Sequence, residues 1–258
     1  MTTAGSGPLT LAFSPTESAR FGLRVFRANL SAVDADALRA ELESERVDVA
    51  ILRIPARALG AVAALTKVGL QSIVADTLVH YSTALDRATL AVPKNALLRL
   101  RPAGDADTAS IAAMARTIFA DYISHYHANP LFAPDAIADG YAEWAARSVP
   151  ANDEGRSAWI VELGGTAVGF SCIQICADRG EAHGVLNGIL PAARGRGAYR
   201  DMLRATLIQH ADAGIRRFVI STQVHNLVVQ RVWADEGFRL DRAENTLHLS
   251  PLFGRERS

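Results

Sequence analysis

Ile189-Leu190-Pro191-Ala192-Ala193-Arg194-Gly195-Arg196-Gly197-Ala198-Tyr199 decides how this chain folds. An apolar run ends at a proline, passes through a basic turn with two glycines, and enters a helix-forming stretch over residues 199–214. Glycine at 195 and 197 permits a tight turn and lets backbone N–H groups approach a ligand unobstructed. The first N–H groups of the following helix lack intrahelical partners, and with the helix dipole they favour an anion such as a pyrophosphate. Arg194 and Arg196 add charge to that cradle. The turn lacks the Gly-Lys-Ser/Thr of a P-loop and the third spaced glycine of a dinucleotide fingerprint.

The flanks extend the pattern. Residues 157–163 and 167–176 read as a hairpin about Gly164-Gly165, which suits a primed turn. A strand is expected over 181–190, a buried strand over 217–224, a helix from Asn226 to Gly237-Phe238, and a last strand over 240–249. Ahead of the hairpin, 97–101 reads as a strand, and 107–125 and 134–148 as helices. This order, β-α-α-β-β-β-α-β-α-β with the Gly-Arg turn between the fourth strand and third helix, resembles the Gcn5-related N-acetyltransferase (GNAT) family. Leu100-Arg101-Pro102-Ala103, followed by an acidic helix start, is similar to that family's first strand.

The resemblance covers residues 96–250. It implies an α/β (α+β) fold with a central mixed, mostly antiparallel sheet flanked by helices. It also implies acetyl-CoA as acyl donor, held by Ile189, Leu190, Arg194, Gly195, Arg196, Gly197, Ala198, Tyr199 and Asn226, with no metal.

Composition agrees. Lys+Arg and Asp+Glu both number 27 in 258 residues, so the formal charge is zero, which argues against nucleic acid as the main partner. No run reaches the length of a membrane span and residues 1–8 lack a signal pattern, so a cytoplasmic protein without a membrane partner is expected. Cys172 and Cys176 read as two buried, reduced thiols, being four apart along one strand.

The N-terminal residues form a second, smaller pattern. A connector, Ala91-Val92-Pro93-Lys94-Asn95, separates an expected domain over 1–92 from one over 96–258. Strands are expected at 9–13, 23–28, 47–54 and 76–81, and helices at 34–43 and 58–67. Gly69-Leu70 matches Gly237-Phe238, and Thr77–Ser82 matches Asn245–Ser250, both 168 positions on (237−69 and 248−80). A fixed offset over strand, helix and strand points to a duplicated half-fold. The first copy carries no Gly-Arg turn, so it reads as a degenerate GNAT-like scaffold without a phosphate site.

Scattered matches narrow the resemblance. Arg20-Phe21-Gly22, Thr222-Gln223 with Asn226, Pro134-Asp135 and Tyr141-Ala142-Glu143-Trp144 make the chain similar to the dTDP-fucosamine acetyltransferases. That resemblance implies a small-molecule acceptor, the 4-amino group of a dTDP-linked 4-amino-4,6-dideoxy sugar. Another small amine, a protein N-terminus, or a non-catalytic acyl-CoA-binding module remain as alternatives, and the protein could be a homodimer.

Acyl transfer to an amine needs a proton acceptor, donors for the oxyanion, and relief of charge on the leaving thiolate. In the family those oxyanion donors are N–H groups near Ile189 and Leu190. By period-two alternation Glu181, His183, Val185, Asn187 and Ile189 share one strand face. His183 suits the base because imidazole titrates near neutrality, with Glu181 the second candidate. Where relatives carry an acidic tyrosine, seven positions after Asn226, this chain has Trp233, whose indole cannot give up its proton. Tyr199 is the expected substitute. Tyr122, Tyr126 and His127 lie in the loop after the first helix, which covers the acceptor site in the family. His125-x-His127 offers no third ligand for a metal.

Overall fold

A computed structural model describes residues 11–149 and 155–253. The chain divides into two compact units. The first holds residues up to Val79 with Ile123–Ala136 and the chain from Arg242 on; the second holds His80–Tyr122 and Ile137–Asp241.

In the first unit, β1 (Ala12–Phe13), α1 (Pro15–Phe21), β2 (Val25–Asn29), α2 (Ala35–Ser44), β3 (Val49–Pro55), α3 (Ala61–Lys67) and the start of β4 (Ser72–Ala84) follow in order. β2 pairs parallel with β3 along its entire length, Val25↔Val49 to Asn29↔Arg53. The end of β10 (Arg239–Leu249) lies antiparallel on the other side of β3. Leu38, Leu42, Ala50, Leu52, Leu65 and Leu247 close a core in which the apolar faces of α2 and α3 meet β3 and β10. Residues 9 and 10 of the expected first strand lie outside the described residues. The helix α1 escapes an alternation pattern, although Pro15 in its first turn and Gly22 at its left-handed C-cap are its start and stop signals.

In the second unit the sheet runs from the end of β4 through β9 (Arg217–Gln223), β8 (Glu181–Ile189), β7 (Thr166–Cys176) and β6 (Arg156–Leu163) to β5 (Leu98–Pro102). Neighbours from β8 to β5 are antiparallel, and β8 pairs parallel with β9. This is the mixed α/β fold expected from the element order. Helices α4 (Thr108–Ile118), α5 (Pro134–Arg147), α6 (Ala198–Asp212) and α7 (Leu227–Asp235) flank the strands. Arg101 ties the end of β5 to the start of α4, donating to both Asp107 oxygens at 2.8 and 2.9 Å and to Glu162 at 2.9 Å. Its guanidinium holds Asp107 down at about 2. The helix expected to reach residue 125 stops at Ile118, because Phe119 leaves it to stack on Tyr141 with ring centroids 4.9 Å apart.

Boundaries recur at the offset read from sequence. β3 and β9 begin and end 168 residues apart (217−49 and 223−55); α2 and α6 end 168 apart, as do α3 and α7. Thr77 and Asn245, equivalent at that offset, sit side by side with Thr77 Oγ1 donating to Asn245 Oδ1 at 2.9 Å.

The first unit also buries a pair of imidazoles. His125 Nδ1 and His248 Nε2 are 2.9 Å apart, and Asn129 Nδ2 donates to His248 Nδ1 at 3.1 Å. Burial pushes both rings down, His248 to about 3, with His248 and the Arg27 charge adding to the effect on His125. A folded-state pKa below the unfolded value of 6.5 means the unfolded chain binds the proton first. Stability is therefore complete above pH 6.5 and is lost as pH falls toward the folded pKa, at about 1.4 kcal/mol per pH unit per ring. We predict that NMR titration finds both rings neutral at pH 5 and that unfolding free energy falls from pH 7 to 5. Rings that protonate near pH 6.5 in the folded protein would contradict this.

Candidate active site

The site starts with an irregularity in β8. Cys172 faces Leu186 and Ile173 faces Gly184, so Val185 is an extra residue on β8. Such a bulge bends and over-twists the strand that carries it. On the other edge, the ladder between β8 and β9 runs only from Glu181↔Arg217 to Gly184↔Ile220. Past that point β8 continues to Ile189 and β9 to Gln223 without pairing to each other. The ladder between the two strands stops at the bulge.

The bulge also changes which side chains share a face. Ala182 packs with Leu203 and Leu207 of α6, and Ile189 packs with Ala198 and Met202 of the same helix. A Cβ on Gly184 would meet Phe218 and Ile220 in that same core, whereas one on Gly188 would meet Ile118 of α4, at 2.5 Å from its Cγ2. The alternation expected to place Glu181, His183 and Ile189 on one face is thus corrected: the parity flips at Val185.

At the end of β8, Pro191–Ala193 form one helical turn, and Gly195 and Gly197 both take the left-handed conformation, φ 77 and 76°. Nothing lies within 4 Å of where their Cβ atoms would stand, so the turn presents bare backbone to an open approach. Gly197 is the N-cap of α6 and supplies no capping side chain, leaving the first N–H groups for a ligand. These features fit a pyrophosphate. Arg196 and Arg194 are both exposed there, and Arg194 Nε donates to Ile189 O at 3.1 Å and its Nη2 to Ile118 O at 3.3 Å. It staples the turn to β8 and α4. The N–H of Leu190 is occupied, donating to Val168 O at 2.8 Å.

Around the parted strands, polar groups converge. Tyr122 donates to Gln223 Oε1 in a short bond and lies 3.2 Å from Thr222 Oγ1, to which Asn226 Nδ2 donates at 3.0 Å. Trp233, 2% exposed, donates from Nε1 to Tyr199 Oη at 3.0 Å. Burial raises the Tyr199 phenol well above its ordinary range.

His183 and Glu181 occupy the paired part of β8. Glu181 Oε2 is 3.0 Å from His183 Nε2, while Arg217 donates to its Oε1 at 2.9 Å. The hydrogen bond from His183, then that from Arg217, hold the Glu181 carboxyl below its usual value. A carboxylate only accepts, so His183 donates to Glu181 from Nε2 and its Nδ1 is the other ring nitrogen.

Tyr126 and His127 belong to the first unit and have partners there. Tyr126 gives a short hydrogen bond to Glu17, which Arg27 also meets at 3.2 Å; Ser124 N donates to His127 Nδ1 at 3.1 Å. Among the described residues no group of three or more His, Cys, Asp or Glu is arranged for a metal. Cys172 is buried with its thiol pushed up to about 12, the behaviour of an inert core thiol. No helix among the described residues is long and apolar enough to cross a membrane.

A model of the acetyltransferase (GNAT) family matches residues 118–238, from the end of α4 to the close of α7. Over those residues the chain is similar to the acetyltransferase (GNAT) family. Solved structures share its fold. A functionally unknown conserved protein from Staphylococcus epidermidis aligns over 96% of this chain and 94% of its own, at 9% identity and TM-score 0.62. A GCN5-related N-acetyltransferase from Kribbella flavida aligns over 88% and 81%, at 15% identity and TM-score 0.57. A tandem GNAT protein from the clavulanic acid biosynthesis pathway aligns over 83% and 67%, at 15% identity and TM-score 0.52. No curated protein matches by sequence.

The left-handed backbone at residue 197 is costly for a β-branched side chain. Gly197→Val should keep the overall fold and lower acetyl-CoA affinity at least tenfold by calorimetry; a folded variant with unchanged affinity would remove the turn from the donor site.

Proposed function

We propose that the protein acetylates a primary amine of a small molecule by direct attack on acetyl-CoA in a ternary complex. The observation that carries this reading is the parting of β8 from β9 at Val185, directly ahead of the uncapped turn at Gly197. In it, acetyl-CoA supplies the activated acyl group when bound. Gly195, Gly197 and the N-terminal N–H groups of α6 hold its pyrophosphate, Arg196 adds charge from solvent, and Arg194 keeps the turn in shape. His183 takes the proton of the attacking amine at Nδ1. Glu181, committed to His183 and Arg217, positions that ring and does not act as the base.

For the acceptor, the sequence similarity to dTDP-fucosamine acetyltransferases supports the 4-amino group of a nucleotide-linked amino-dideoxy sugar. Several residues behind that similarity have local structural work: Pro134 opens α5, Gly22 closes α1, and Tyr141 stacks on Phe119. The acceptor is therefore an experimental choice among amines. Release of coenzyme A from acetyl-CoA would be followed with nucleotide-linked amino sugars, polyamines and peptide N-termini. Release above the no-acceptor rate identifies the class, and none with any amine favours a non-catalytic acyl-CoA-binding module.

The first copy of the duplicated half is, in this reading, a scaffold without a donor site. β2 ends where its pairing with β3 ends, so no strand edge is left open beyond it. Its helix α2 is capped by its own Asp34, whose carboxylate accepts from Ala37 N at 3.0 Å and occupies the place an anion would take.

His183→Ala should cost about 10²–10⁴ in turnover. Glu181→Gln should cost less and move the acid limb of the pH–rate profile, since it alters the partner of Nε2 and leaves Nδ1 in place. Near-wild-type turnover with an unmoved acid limb in His183→Ala would remove the base assignment.

A further inference from the structure

We infer that the side-chain amide of Gln223 binds an oxygen of the acceptor, so that the protein selects amines bearing a carbonyl or hydroxyl oxygen over polyamines. This rests on the acyl-transfer reading above and names its acceptor class.

The hydrogen bonds that lead to Gln223 all run one way. Asn226 Nδ2 donates to Thr222 Oγ1 at 3.0 Å. The one proton of Tyr122 goes to Gln223 Oε1, so the threonine proton makes the 3.2 Å contact between Thr222 Oγ1 and Tyr122 Oη. Donation thus passes from Asn226 through Thr222 and Tyr122 to the Gln223 side-chain carbonyl. A chain in a single sense polarises each member in turn, and the amide at its end becomes a better donor at Nε2. Gln223 is 7% exposed, yet among the described residues its Nε2 has no hydrogen-bond partner. A buried amide N–H is rarely left so. That nitrogen is not sealed in the core, unlike Trp159 Nε1 or Thr206 Oγ1, and so it opens to a ligand.

The donor lies where acyl transfer is placed. Pairing of β9 with β8 ends at Gly184↔Ile220, and Gln223 closes β9 three residues on. Thr222 and Gln223 are successive strand residues with side chains to opposite faces, so a hydroxyl in reach of both stands at the margin of the strand. Tyr122 arrives there from the end of α4, its ring edge-on to Phe119 at 5.5 Å and to Tyr141 at 5.7 Å. Ile118 at that same end meets the space beside Gly188, and its carbonyl accepts from Arg194. Ile118 and Tyr122, four residues apart, thereby link the part of β8 past Val185 to the part of β9 past Ile220. The amide is also held before any ligand arrives. Gln223 O accepts from Asn226 N at 3.0 Å, and Gln230 Nε2 donates to Val224 O at 2.8 Å and to Asn226 O at 3.1 Å.

A fixed N–H donor calls for an acceptor. Peptide N-termini supply a carbonyl oxygen and amino sugars a hydroxyl. The other nitrogens of a polyamine are ammonium groups at neutral pH, with no lone pair to offer, so they set donor against donor. The reacting nitrogen directs its lone pair at the acyl carbon, which leaves the neighbouring oxygen for Gln223.

The test follows coenzyme A release from acetyl-CoA with glycinamide, a nucleotide-linked 4-amino sugar and spermidine, separating kcat from KM for each. Wild-type protein should favour the better of the two oxygen-bearing amines over spermidine by about tenfold or more in kcat/KM. Gln223→Glu keeps the shape and still accepts from Tyr122 but presents only acceptors. It should raise KM for the oxygen-bearing amine and turn the preference toward spermidine. Gln223→Met, which has no amide, should erase the preference without reversing it, and it decides the matter if the carboxylate variant does not fold by circular dichroism. Tyr122→Phe, which unties the amide, should narrow the preference through KM. A wild-type protein that prefers spermidine, or a folded Gln223 variant with the wild-type preference, would overturn the assignment. Release with no amine at all would overturn the acyl-transfer reading beneath it.

Discussion

One extra residue in one strand, Val185, organises the second unit. Parallel pairing of β8 with β9 needs both strands straight and in register, and the bulge ends that at Gly184↔Ile220. Antiparallel pairing with β7 continues past it, through Leu186↔Cys172 to Ile189↔Gly169, so the bulged strand stays anchored on one side while its other edge opens. Close approach on the anchored side is required: a Cβ on Gly169 would stand 2.3 Å from Gly188 O. Glycine there lets β7 hold the far end of β8 in place.

The duplicated half shows what happens without that residue. Both copies place a parallel strand pair around a helix, with boundaries repeating at 168 residues. In the first copy the shorter strand is paired to its last residue and Asp34 fills the helix N-terminus. In the second, the longer strand runs on past the end of its pairing with β9, and Gly197 leaves that terminus open. Two local choices, an extra residue in a strand and a side chain at an N-cap, separate the two copies; in the function proposed above they divide a scaffold from a donor site.

Much of this was legible in the sequence for physical reasons. Gly195 and Gly197 stand at positive φ, and a turn with two such residues before a helix has few other uses. The offset of 168 survives because strand and helix lengths are set by packing, which both copies share. The bulge was not legible, since Val185 is as good a strand residue as its neighbours; only Gly184 and Gly188 on either side hinted at unusual backbone. The early end of α4 was missed because Phe119 is compatible with a helix and leaves it for a tertiary contact with Tyr141. The bond of Arg194 to Ile118 and that between Trp233 and Tyr199 also depend on tertiary contacts, between partners 76 and 34 positions apart, that no local pattern encodes.

Backbone amide hydrogen exchange with and without coenzyme A tests the central claim most directly. The account predicts slowed exchange at residues 185–189 of β8 and at the first turn of α6, with residues 25–30 and 35–37 of the first copy unaffected. Protection confined to the first copy, or bound coenzyme A with no change along 185–189, would contradict it.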